Sequence, residues 1–137
     1  MAYEIFEFET VERLADGARV PFEAVPNGSG PDRRRPTLGS VLIWYPQGYF
    51  KHTGHVAIIT EATDTYVRIA EQNTHDRYWA PGTNYSRELP VHIDAQGRYT
   101  IEDTTATRAK VMGWMHVNAP TVAGALVTPA ADRVSSA

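Results

Sequence analysis

Apolar residues along this chain fall in short, β-branched runs and lack the three-and-four spacing of a long helix. Val41-Leu42-Ile43-Trp44-Tyr45 lies between Gly39 and Pro46 and reads as a buried strand. His55 to Thr60 and Thr65 to Glu71 are two further runs separated by a polar turn. Tyr85 to Ile93 and Arg98 to Glu102 flank Asp94-Ala95-Gln96-Gly97, a hairpin signal. Val111 to Val117 is the last strand, so the pattern predicts six strands and little helix. Met1 to Phe8 is amphipathic over one or two helical turns, too short to be stable alone. Thr10 to Val25 is a polar–apolar stretch with a turn expected at Gly17. Pro26 to Pro36 reads as an exposed loop carrying Arg33-Arg34-Arg35, and further loops are expected from Pro46 to Gly54 and from Asn73 to Asn84. Beyond Asn118 the composition falls to Ala, Thr, Val, Pro and Ser. Residues 1–118 are therefore expected to form one domain, with residues 119–137 as a flexible tail.

The 137 residues suit a single domain, and 42% hydrophobic residues are enough for a core. A net charge of -3 and a pI near 5.9 argue against a nucleic-acid binder that works through a basic face. No apolar run approaches the ~18 residues that a membrane span needs. Met1-Ala2-Tyr3-Glu4-Ile5 has neither the charged nor the apolar region of a signal peptide, so a cytoplasmic protein is expected. There is no cysteine. This excludes disulfides, Cys-ligated zinc, iron–sulfur clusters and any thiol nucleophile from these residues.

The candidate chemistry centres on His55, which follows Gly54 and opens a strand. If the turn to the next strand centres on Thr63, Ile59 faces Val67, Ala57 faces Ile69 and His55 faces Glu71. Opposed residues have Cβ atoms about 5 Å apart, so the carboxylate can hydrogen-bond the imidazole and fix its tautomer. Asn73 would share that face and could orient the ring or contact substrate, whereas Gln72 alternates away. A His and a Glu in one hairpin also occur as a purely structural pair, and the pattern alone leaves both roles open. His52 and His75 fall in loops, and His92 and His116 on strands. None pairs at ligand spacing beside a third donor, so neither a metal nor another cofactor is expected. Trp44, Trp79 and Trp114 read as packing residues, and Tyr45 to Phe50 as packing that could also line a groove beside His55.

Several blocks together resemble a known family. They are Pro26-Asn27-Gly28-Ser29, Leu42-Ile43-Trp44, Phe50 to Thr60, Val67 to Asn73, Ser86-Arg87-Glu88-Leu89, Tyr99 to Thr104 and Gly113-Trp114-Met115. The chain resembles the CHAP-type, papain-like amidase domain of the glutathionylspermidine and trypanothione synthetase/amidases from about Met1 to Met115. The resemblance implies an α+β papain-like fold, represented here mainly by its antiparallel β-sheet or barrel half. It also implies hydrolysis of the amide between the glycine carboxyl of glutathione and spermidine, whereas other CHAP relatives cut peptidoglycan peptides. His55 matches the catalytic histidine, Glu71 the carboxylate that orients it, and Asn73 a substrate-contacting residue. In the family the nucleophilic cysteine opens a helix upstream of the part matched by Met1. The match is therefore expected to be the C-terminal two-thirds of such a domain, inactive alone, with the Cys-bearing helix supplied from elsewhere, for instance by a separate chain. Without that helix an apolar surface is expected to lie bare. Ser40, Thr53 and Ser86 are the hydroxyls considered as substitutes, and none is expected to act. The alternative is a pseudoenzyme or binding module whose groove takes a thiol-peptide or polyamine ligand, or a partner protein.

Overall fold

The computed structural model describes residues 1–71, 82–106 and 108–117. Eight strands form an antiparallel sheet: β1 (Thr10–Glu12), β2 (Arg19–Pro26), β3 (Val41–Trp44), β4 (His55–Ala62), β5 (Tyr66–Ala70), β6 (Arg87–Ile93), β7 (Tyr99–Ile101) and β8 (Val111–Val117). Their spatial order is β1-β2-β8-β3-β4-β5-β6-β7. The expectation of an antiparallel, strand-rich fold with little helix agrees with this; the count of six strands does not. The two extra strands, β1 and β2, come from the stretch around Gly17, where Pro21 and Pro26 interrupt the strand pattern. Pro21 is accommodated because it lies opposite Thr10 of the short edge strand. Helix among the described residues is limited to short 3-10 segments at Ala2–Glu7 and Gly48–Phe50. No helix there is long and apolar enough to cross a membrane.

Alternation sorts the strands onto two faces. Leu42, Trp44, Ala57, Ile59, Val67, Ile69, Leu89, Val91, Ile101 and Trp114 pack into one large core cluster. The sheet curls around this cluster. Its last strand returns to the segment after β2 through a bridge between Ser29 and Tyr99. Asn27 reinforces the closure by mimicking a peptide: its amide nitrogen donates to the Ile101 carbonyl at 2.9 Å and its oxygen accepts the Ile101 N–H at 2.8 Å. The outer face carries a smaller cluster of Phe22, Ile43 and Met115, against which Ile5 and Phe6 of the first 3-10 segment pack. This packing only partly covers the face: Ile58, in β4, remains exposed.

The first 3-10 segment is admitted where side chains are missing. A Cβ at Gly113, in β8, would lie 2.8 Å from the Phe6 ring and 2.2 Å from the Val25 carbonyl oxygen. Gly113→Ala should therefore lower stability by about 1–3 kcal/mol, through displaced backbone or a displaced Phe6. Urea unfolding checks this, and an unchanged midpoint would mean that neither Phe6 nor the Val25 carbonyl lies so close to Gly113.

The β4–β5 register differs from the one expected. Ile59 pairs with Ile69, and Ala62 with Val67 past an irregularity between Ile59 and Glu61. The turn is centred one to two residues later than Thr63. The Thr63 hydroxyl accepts the Thr65 and Tyr66 N–H groups, and the Thr63 N–H donates to the Tyr66 carbonyl, so the chain reverses between Thr63 and Tyr66. Through β4 beyond the irregularity the slip amounts to two residues, so it preserves which side chains share a face.

Candidate active site

His55 is held by its neighbours on three sides. Gly54 precedes it with φ +71°, and a Cβ there would lie 2.7 Å from the Trp44 carbonyl oxygen. Only glycine fits that approach without strain. In the β3–β4 ladder His55 pairs with Trp44, whose ring meets the imidazole edge-on at 4.9 Å. Phe50, from the aromatic-rich loop, stacks on the imidazole at 4.3 Å with the planes 5° apart. Both aromatics are buried, so the ring has little freedom to turn.

His55 Nε2 lies 2.7 Å from Glu71 Oε1. Continuing the observed register would put Glu71 across from Ala57, not His55. The contact is diagonal, within the reach of a long side chain on the same face. Glu71 also accepts two hydrogen bonds from Arg87, Nε to Oε2 at 2.5 Å and Nη2 to Oε1 at 3.1 Å. The Ser86 hydroxyl donates to Oε2 at 3.1 Å. Arg87 Nη1 turns to Asp103 Oδ1 at 2.9 Å and to the Thr105 hydroxyl. Asp103 Oδ2 accepts the indole N–H of Trp44 at 3.0 Å. His55, Glu71, Arg87 and Asp103 are all buried.

Burial opposes the Glu71 charge, but the hydrogen bonds from His55 and Arg87 outweigh it and hold the carboxyl down at about 2. Burial works against Asp103 too, and Arg87 with the Ala106 amide more than offsets it, leaving that carboxyl below its ordinary value. Glu71 is therefore an anion with no proton to give. Nε2 must be the donor in the His55 contact, and the neutral ring then keeps its basic lone pair on Nδ1. This arrangement is chemically competent for general base and acid catalysis at Nδ1, with the carboxylate available to stabilise an imidazolium. An open groove of about 640 Å³ runs beside it, lined by Tyr49, Phe50, Lys51, Thr53, His55 and Glu71 among others.

The hydroxyls considered from sequence are accounted for differently. Ser86 is committed to Glu71 and to the Ile69 carbonyl, and Thr53 donates to the Gly54 carbonyl. Ser40 contacts His116 Nδ1 at 3.2 Å, both residues being buried. That Ser–His pair lies about 13 Å along β3 from the end that faces His55. Asn73, Gln72, His75, Trp79 and the expected tail 119–137 lie outside the described residues. Among the described residues no group of three or more His, Asp or Glu is placed to hold a metal ion. The Arg33-Arg34-Arg35 run is engaged locally: Arg33 donates to the Ala24 carbonyl, Arg34 lies 4.0 Å from Glu23, and Arg35 pairs with Asp64.

Sequence reasoning gave no role to Arg87 or Asp103 and read Trp44 as packing. The signal was the alternation itself: Arg87 shares the inward positions of β6 with Leu89 and Val91, as Asp103 continues those of Tyr99 and Ile101. A charge at an inward position requires a partner.

The buried groups set an acid limit. Burial pushes the His116 imidazole down to about 4. The unfolded chain then takes up a proton from pH 6.5 downward while the folded chain does not until about 4, so stability falls across that window. Glu71 follows: its contribution, present above its ordinary 4.5, is lost as pH falls toward 2. In His116→Gln the urea midpoint should decline less between pH 6.5 and 4 than in the parent. Equal slopes would refute the His116 assignment.

Comparison with known proteins matches the sequence to a family. Residues 8–73 match the CHAP domain. The chain is 41% identical over 115 residues to the bifunctional glutathionylspermidine synthetase/amidase of Escherichia coli, covering 84% of this chain and 18% of that protein. It is 37% identical over 102 residues to the trypanothione synthetase of Crithidia fasciculata, covering 74% of this chain and 15% of that protein. The glutathionylspermidine synthase of Crithidia fasciculata is 33% identical over 108 residues, 78% of this chain and 14% of that protein. The chain thus spans less than a fifth of the length of these relatives. By these matches the chain belongs to the CHAP-domain family, on the branch of the glutathionylspermidine and trypanothione synthetases.

Proposed function

We propose that these residues are the base-bearing half of a cysteine amidase that hydrolyses the amide between glutathione and spermidine. The observation that carries the reading is the 2.7 Å contact of His55 Nε2 with an ionised, buried Glu71, which directs proton transfer to Nδ1 beside an open groove. His55 Nδ1 takes the proton of a thiol as its sulfur attacks the amide carbon. It returns that proton to the departing polyamine nitrogen, leaving a thioester. Water then attacks the thioester, again with Nδ1 as base, and releases glutathione and the thiol. Glu71 orients the ring and stabilises the imidazolium, and Asn73 contacts substrate by its match to the family. We place the reaction in the cytoplasm, where thiols stay reduced.

No cysteine occurs in the 137 residues, so the thiol comes from outside them, on a helix carried by a preceding segment or a separate chain. The chain by itself should leave glutathionylspermidine intact. A fusion that places a Cys-bearing helix of the kind the family resemblance implies ahead of Met1 should release spermidine in a chromatographic assay. A folded fusion without hydrolysis would refute the reading. The absent cysteine also favours a second reading, a pseudoenzyme that binds thiol-peptide or polyamine ligands. Saturable binding of glutathionylspermidine to the chain, combined with an inert fusion, would select it.

A further inference from the structure

We infer that Arg87 and Asp103 are positioning residues for His55, acting through Glu71 and Trp44 in a closed ring of contacts. The inference deepens the amidase reading and rests on it for its catalytic meaning; the geometry itself does not. Five successive strands of the sheet bring the members to one end: Trp44, His55 and Arg87 lie within β3, β4 and β6, and Glu71 and Asp103 lie just beyond β5 and β7. The contacts run from His55 to Glu71 at 2.7 Å, Glu71 to Arg87 at 2.5 Å, Arg87 to Asp103 at 2.9 Å and Asp103 to Trp44 at 3.0 Å. Trp44 closes the ring edge-on against the imidazole.

Two properties of this ring would be lost with an isolated His–Glu pair. The first is orientation. Arg87 grips both oxygens of Glu71 through Nε and Nη2, a planar fork that fixes the carboxylate plane as well as its position. With Ser86 also on Oε2, the His55 Nε2–H is directed to Oε1. The second is charge. Arg87 shares its cation between two carboxylates, so the three groups sum to one negative charge. Asp103 thereby draws the guanidinium charge away from Glu71 and leaves net negative charge beside His55, where an imidazolium would form. Asp103 is itself held by the Thr105 and Ala106 amides on Oδ1 and by the Trp44 indole on Oδ2. The chain of supports thus ends in backbone and in the ring that touches His55.

The test is the imidazole tautomer of His55 in the full 137-residue chain, read by nitrogen-15 NMR with no substrate or thiol. The parent should show Nε2 as the protonated nitrogen, with an Nε2–H protected from solvent exchange. Arg87→Lys keeps the cation and loses the fork. It should speed Nε2–H exchange about tenfold and mix the two tautomers. Asp103→Asn should shift the same resonance in a chain whose core methyl signals stay dispersed. Either variant that folds and keeps the parental tautomer and exchange rate would overturn its residue's role. If one fails to fold, Trp44→Phe, which removes the indole donor to Asp103, must perturb the resonance or the ring is refuted. None of these outcomes depends on hydrolysis by the fusion, so this inference and the amidase reading fail separately.

Discussion

Replacing Arg87 with methionine will remove a large part of the stability of this chain. The substitution leaves the Glu71 and Asp103 carboxylates facing the space of a lost guanidinium, with their side chains 2% and 0% exposed. Removing one partner of a buried ion pair typically costs about 3–5 kcal/mol, because the remaining charge stays desolvated and uncompensated. A domain of ordinary size has about 5–15 kcal/mol in total. The Arg87→Met chain should therefore unfold at a much lower urea concentration or fail to fold at neutral pH. Adding Glu71→Gln and Asp103→Asn to Arg87→Met should recover part of the loss, since neutral groups are cheaper to leave buried than charges. A single variant with the parental midpoint would show that the charges reach solvent in solution.

The second large effect is on hydrolysis. In the fusion that carries the thiol, His55→Ala should lower kcat by about 10²–10⁴, the usual contribution of a positioned acid–base group, and change KM little. Glu71→Gln should also lower kcat strongly, since the amide keeps an acceptor for Nε2 but loses the charge that stabilises the imidazolium. Spermidine release measured under saturating substrate checks both. A His55→Ala fusion with parental turnover would remove His55 from the chemistry.

The same residues explain how far the sequence could be read. His55 and Glu71 were legible as a pair because side-chain direction in strands has period two. A slip of two residues in the β4–β5 register therefore leaves them on one face. The register itself was not legible, because the Thr63 hydroxyl accepts amides from Thr65 and Tyr66 and moves the turn toward Tyr66. The β1–β2 hairpin was obscured by Pro21, tolerated only because its partner is a short edge strand. That edge position is a property of the assembled sheet.

What the sequence determined by itself was what a local pattern can carry. It set which residues lie in strands from Val41 onward, which of them face inward, and the absence of any thiol. It also set the motifs that mark the CHAP family. Only the tertiary structure decided which inward residues meet. Arg87 and Asp103 are 16 residues apart in sequence, and Asp103 and Trp44 are 59 apart. Their contacts depend on strand order, on the curl of the sheet and on the slipped register. Strand order and curl are set by the packing of all the strands together, and neither is encoded in the residues on either side of a given position.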